Sequence, residues 1–195
     1  MHKPRCFLIM KITISKRLRN SKKDSKRIRR EGNIPAVIYS SKTEAESLTV
    51  NGAEFRAALR GIEKGGLSTV VFTLVDGEER AMKVIVKDIQ YNITSYDIIH
   101  LDFELLHDDN LVKVNVPIRF NGVAACAGVK LGGVVRQVIR YCKVLCLPAD
   151  MPKEFILDVS NLGLKQALRL SDIEISEKVR PLVDMNEVAV VIAKR

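Results

Sequence analysis

The chain has 195 residues, with 32 Lys and Arg against 23 Asp and Glu, a formal net charge of +9. Hydrophobic residues make up 47% of it, enough to build a core, which excludes global disorder. No apolar run approaches the ~18 residues of a membrane-spanning helix, and residues 6–10 are too short for a signal-peptide core, so the chain reads as intracellular. The positive charge is concentrated. Residues 1–30 hold 12 Lys and Arg and one acid, Asp24, whereas the remaining 165 residues hold 20 basic and 22 acidic groups. Charge gathered in this way points to a polyanionic partner.

Residues 11–15 alternate as a short strand. Met10 just before them is a second candidate translation start, which makes residues 1–9 a dispensable N-terminal extension. The basic run 16–30 reads as an internal loop, closed by Glu31-Gly-Asn-Ile-Pro35. Pro35–Tyr39 and Leu48–Val50 are compact strands, and Asn51 caps a helix that runs to Arg60 ahead of Gly61. Ser68–Leu74 and Arg80–Gln90 pair as a hairpin across Asp76-Gly77, and Ile98–Leu105 adds a further strand. The polar break His107–Asn110 is the boundary between a domain over 10–107 and a second over 108–195. The second domain opens with a strand, Leu111–Val116, whose end Pro117 moves toward a sheet edge. A small, Gly-rich hairpin connection over Ala124–Gly133 leads into one long strand, Val134–Leu147. A rigid turn at Pro148–Pro152 and strands at Phe155–Val159 and Val188–Ile192 complete it. The fold class is mostly β, with little helix in the first half and an all-β second half.

Enzyme signatures are missing from this order. Gly128-Val-Lys-Leu-Gly-Gly133 lacks the Gly-Lys-Ser/Thr ending of a phosphate loop, and no Gly-x-Ser-x-Gly elbow occurs. His2, His100 and His107 do not pair at metal-ligand spacing. Of the four cysteines, Cys142 and Cys146 share one strand face, and they read with Cys6 and Cys126 as small buried apolar groups. The expectation is therefore no catalytic residue, no metal, no cofactor and no small-molecule substrate. His100 and Asp102 lie two apart on a strand and share a face, either as a plain polar surface or as part of a site. The basic run is more specific. Leu18 and Ile28 can anchor it, and it lies between strands, so it belongs to a folded domain. Its guanidinium groups can grip phosphates in pairs, Ser25 can add a hydroxyl contact, and Tyr39 can stack or hydrogen-bond. This is a nucleic-acid-binding pattern, with RNA and DNA both open.

Ser25-Lys-Arg-Ile-Arg-Arg-Glu-Gly-Asn-Ile-Pro-Ala-Val-Ile-Tyr39 resembles the bacterial large-subunit ribosomal protein L-twenty-five family, whose long form is the general stress protein Ctc. Val86-Lys-Asp-Ile-Gln90 with Ile99-His-Leu-Asp-Phe103 agrees with it, as do Gly128–Val134 and Cys146–Pro152 in the second half. The resemblance implies a closed six-stranded barrel with one or two short helices over 10–107. It implies a second β-domain over 108–195, open to contacts with neighbouring ribosomal proteins. It implies a structural constituent of the cytoplasmic ribosome that binds 5S ribosomal RNA, at a helix whose internal loop opens a groove normally too narrow for side chains. Matched position by position, Arg17, Lys22, Ser25, Lys26, Arg27, Arg29 and Tyr39 are the RNA-facing residues, and Asp88, His100 and Asp102 form a second cluster at the groove. The acids of that cluster suit base amino groups, as carboxylates read cytosine. Three segments depart from the family pattern: Lys22-Lys23-Asp24, Tyr39-Ser40 and Tyr91-Asn92-Ile93. The rival readings are a tRNA-binding barrel of the anticodon-recognition type, similar to that of glutaminyl-tRNA synthetase, and a stress-related protein whose second domain binds another protein.

Overall fold

A computed structural model describes residues 10–17, 22–40, 44–77 and 81–194. The extension 1–9 with His2 and Cys6, the anchor Leu18 and Arg80 lie outside these residues, as does the side chain of Lys22. The chain divides into two compact units, Met1–His107 and Asp108–Arg195.

The first unit is a closed barrel. Its helices and strands, in chain order, are β1 (Met10–Lys16), α1 (Lys22–Arg30), β2 (Ile34–Tyr39), β3 (Glu46–Val50), α2 (Gly52–Arg60), β4 (Val71–Asp76), β5 (Ala81–Tyr91) and β6 (Ile98–Leu105). The strands close in the order β1-β3-β2-β6-β5-β4, with β1–β4 and β2–β6 parallel and the other pairs antiparallel. Alternate residues point inward, so Ile12 and Ile14, Ala36 and Ile38, Leu48 and Val50, Phe72 and Leu74, and Leu101 and Phe103 fill the interior. Helix α2 adds Phe55 to it. The Phe55 ring lies 5.9 Å from Phe72 and 6.3 Å, edge-on, from Phe103. Asn51 caps α2, accepting at Oδ1 from the backbone N–H of Ala53 and Glu54. Glu54 ties the helix to β1 by accepting from the Thr13 backbone N–H at 2.7 Å.

Two expectations for this unit are corrected. Part of the basic run is a nine-residue helix, α1, rather than a loop. Its only apolar residue is Ile28, buried against the unit, so no 3.6-residue apolar period marks it. Its end is well built. Gly32 sits at φ +83°, and the Gly32 and Asn33 N–H groups return to the Arg29 and Ile28 carbonyls at 3.1 Å each, a Schellman closure. Asp24 in the first turn and Arg27, Arg29 and Arg30 in the last match the helix dipole. The second correction is at Ser68. Leu67–Thr69 form a 3-10 turn, closed by the Thr69 hydroxyl donating to the Gly66 carbonyl at 2.9 Å, and the strand begins at Val71.

The second unit contains β7 (Val112–Asn121), α3 (Ala127–Lys130), β8 (Gly133–Gln137), β9 (Tyr141–Cys146), β10 (Phe155–Asp158), β11 (Ala167–Arg169), β12 (Arg180–Pro181) and β13 (Val188–Lys194). They form a sheet ordered β10-β7-β9-β12 and another ordered β11-β13-β8. Val134–Leu147 is thus not one strand: it breaks after Gln137, and its halves join different sheets. The Ala124–Gly133 connection holds the short helix α3, and an added Cβ on Gly128 would fall 2.8 Å from Ile192 Cγ2, so the glycine permits close packing. Nor does Pro117 end at an edge. It sits within β7, where pairing with β9 stops at Pro117 and pairing with β10 starts at Ile118, so its missing N–H falls at the changeover. Strands β11 and β12, of three and two residues, carry too few side chains for a period to be read.

Truncating Phe55 to Ala removes the ring shared by α2 and two barrel strands. It should cost about 3–5 kcal/mol in denaturant unfolding, as deep Phe truncations do. Gly52→Ala should also destabilise the first unit, because the new Cβ would stand 2.1 Å from the Gly32 backbone oxygen. Equal midpoints for this variant and the parent would show that the close approach of α1 and α2 is dispensable.

Candidate nucleic-acid interface

Helix α1 presents Lys23, Lys26, Arg27, Arg29 and Arg30 to solvent. Arg27 lies between Asp24 at 3.9 Å and Glu31 at 3.8 Å, and its side chain is 71% exposed, so these contacts orient it while leaving the guanidinium accessible. Ser25 is half-buried and receives Arg17 Nη1 at 3.4 Å, which draws the end of β1 against the helix. The Arg17 backbone N–H donates to the Ser47 carbonyl at 3.1 Å. Of Lys22 only the backbone, at the first helical position, is described.

The second cluster forms on the outer face of β2, β5 and β6. Leu101 and Phe103 point inward, so His100, Asp102 and Glu104 point outward. His100 Nδ1 stands 2.8 Å from Asp102 Oδ1, which orients the ring and leaves Nε2 as its other hydrogen-bonding nitrogen. Asp88 reaches this face through a β-bulge. Val86 opposes Phe103, but the register then skips Lys87, and Asp88 opposes Asp102. Without that extra residue Asp88 would follow Val86 into the core. On β2, Tyr39 pairs with Glu104 and Val37 with Asp102. Burial pushes the Tyr39 phenol above its usual value near 10, and the Glu104, Asp102 and Asp88 carboxylates push it further. At neutral pH this phenol is an O–H donor beside three acids.

The two clusters meet at Arg29, whose Nε donates to the Ile99 carbonyl at 3.0 Å. One α1 side chain is thereby held on the strand that carries His100 and Asp102. Residues not picked out from the sequence also lie on the polar face. Glu104 pairs with Lys87 at 2.5 Å, and Gln90 opposes His100. Glu104 was legible as the next outward position after Asp102, and Lys87 as the outward neighbour of inward Val86, whereas Gln90, two beyond Asp88, owes its side to the bulge. Ser40, in one of the segments that depart from the resemblance, takes a 2.9 Å hydrogen bond with His107 Nε2.

Elsewhere, Cys126, Cys142 and Cys146 are free thiols and buried. Burial pushes the Cys142 and Cys146 thiols up, with Asp150 adding to the effect at Cys146, so both are poor nucleophiles. Among the described residues no group of three His, Cys, Asp or Glu side chains could hold a metal ion, and no helix is long and apolar enough to cross a membrane.

Residues 12–103 match the model of the Ribosomal L25p family, and residues 111–195 match that of the ribosomal protein TL5 C-terminal domain. The chain is 46% identical to the large ribosomal subunit protein bL25 of Chlamydia muridarum over 186 residues, covering 95% of this chain and all of that one. The counterparts of Chlamydia trachomatis serovar A and Chlamydia pneumoniae are 46% and 44% identical over the same spans. The barrel carrying the basic helix and the polar strand face coincides with the first match, and the second unit with the other; the chain belongs to the ribosomal L25p family, with a second domain of the TL5 C-terminal type.

Proposed function

We propose that this chain, a structural protein of the large ribosomal subunit and not an enzyme, binds 5S ribosomal RNA through its first unit. As a large-subunit ribosomal protein it works in the cytoplasm, on the ribosome. The observation that carries the RNA reading is the Arg29–Ile99 hydrogen bond, which joins a phosphate-seeking helix to a base-reading strand face. Lys23, Lys26, Arg27 and Arg30 meet the RNA backbone, with Arg17 and Ser25 holding the helix and Lys22 at its start. Arg29, Tyr39, Asp88, His100 and Asp102 meet groove edges.

This division of labour follows from the chemistry. Cations on an exposed helix face attract phosphate without regard to sequence, so they supply affinity and encounter rate. Carboxylates repel phosphate and cost affinity unless each finds a donor, which base amino groups provide. A face with both kinds of group accepts RNA whose phosphates fall on the helix and whose amino edges fall on the strands. An internal loop of non-Watson–Crick pairs widens the groove enough for such contacts. The second unit is available to neighbouring ribosomal proteins, as a further part of this proposal.

Affinity for the 5S rRNA helix should fall steeply with salt, with a log–log slope of about −0.9 per phosphate neutralised for B-form geometry and about −0.7 for single strands. A flat profile in filter binding contradicts the role of α1. Arg27→Ala should weaken binding about equally for all RNA sequences and reduce the salt slope by about 1, as the loss of one phosphate contact does, and an unchanged Kd removes it from the interface. Tyr39 gives a prediction in pH. Its folded form holds the proton to higher pH than the unfolded chain does. Above about pH 10 the native state thus binds more protons, and stability must fall as pH rises. Tyr39→Phe should flatten that fall in unfolding titrations above about pH 10.

A further inference from the structure

Beyond the polar face, one part of the first unit sets guanidinium groups beside exposed aromatic rings. An open groove of about 380 Å³ lies between α2 and the segment joining β5 to β6, lined by Arg56, Leu59, Arg60, Tyr91, Tyr96 and Asp97 with Ile98. That volume is in the range of small-molecule sites. Tyr91 is 50% exposed and Tyr96 79% exposed, unusual for large aromatic rings in a chain with few of them.

We infer that this groove is a second RNA contact, in which Tyr96 and Tyr91 stack on an unpaired base and Arg56 and Arg60 hold the flanking phosphates. The inference rests on the reading that the first unit binds RNA. Three observations carry it. The first is composition: two guanidinium groups beside two exposed phenols make the pairing of cation and stacking surface that single-stranded nucleic acid uses. Asp97 at the rim can accept from a base amino group. The second is the backbone. Tyr96 stands at φ +56°, a left-handed conformation that is costly for an aromatic residue. The segment is tied down around it. Asn92 N–H donates to the Asp97 carbonyl at 2.8 Å, Tyr96 N–H to the Asn92 carbonyl at 2.9 Å, and Thr94 N–H to Asn92 Oδ1 at 3.0 Å. The ring is displayed on a fixed platform, so stacking orders little that is not already ordered. The third is continuity. Tyr91 directly follows Gln90, which opposes His100, but itself opposes the core residue Ile98, so the groove lies one residue further along the strand, at the α2 end of the barrel and not on the polar face itself. Asp88 to Tyr91 spans about 10 Å of strand, a distance a single RNA covers within a few nucleotides.

The test uses the full chain and two probes, a fluorescent octa-adenylate and the 5S rRNA helix. Tyr96→Asn removes the ring and places at φ +56° a residue that tolerates it. The variant should melt at the same temperature as the parent or higher, yet bind octa-adenylate about tenfold more weakly, the loss expected for one stacked base. Arg56→Gln with Arg60→Gln should lower the same affinity and reduce its salt dependence. Ultraviolet cross-linking should attach the oligonucleotide to Tyr96 or Tyr91. Octa-adenylate affinity unchanged in both variants, or no binding of it by the parent, overturns the inference and leaves the groove to a protein neighbour. A parent that fails to bind the 5S rRNA helix overturns the earlier reading instead, and the two titrations report these failures separately.

Discussion

Closure of the six-stranded sheet is the constraint on which the rest of the first unit depends. A closed sheet has no free edge, and every strand must send alternate residues into one small interior. Leu101 and Phe103 occupy that interior, so His100, Asp102 and Glu104 have no place but the outside. Phe55 from α2 completes the filling against Phe72 and Phe103. The site is therefore an outward consequence of core packing. Its polar side chains need no special device to be exposed, except at Asp88, where the bulge at Lys87 reverses the inward parity that Val84 and Val86 set.

The electrostatics of the outer face are costly in isolation. Asp88 and Asp102 stand directly opposite on neighbouring strands, an arrangement of like charges that disfavours pairing. His100 beside Asp102, and Lys87 beside Glu104, moderate it. Helix α1 has the reverse problem, with six cations in nine residues and only Asp24 and then Glu31 to offset them. Each surface lacks what a polynucleotide carries: phosphates for the helix, amino groups for the strands. The Arg29 bond to Ile99 holds the two surfaces together in the free protein, so binding need not organise them.

The second unit follows different rules. Two open sheets share no closed interior, and its core is assembled from buried Val112, Val114, Val116, Cys142, Val144, Cys146, Phe155 and Leu157 with a separate group around Cys126, Val190 and Ile192. The cysteines serve as small apolar fillers there, and burial pushes the Cys142 and Cys146 thiols up, which keeps those two protonated. Short strands such as β12 owe their existence to a neighbour, β9, and not to their own pattern.

Local chemistry was enough for much of this. The alternation of Ile98–Leu105 placed His100 and Asp102 on one face, Asn51 marked the start of α2, and concentrated charge singled out residues 16–30. These are properties of neighbours in sequence, governed by periods of two or of 3.6 residues. Tertiary structure decided what depends on distant partners. It made α1 a helix, because burying Ile28 and closing the turn at Gly32 outweigh the repulsion that its cations imply. It split Val134–Leu147 between two sheets and kept Pro117 within β7, because each half of those segments pairs with a different strand. It turned Asp88 outward and joined the helix to β6 through Arg29, because a bulge and a cross-element hydrogen bond leave no mark in the local pattern of a chain.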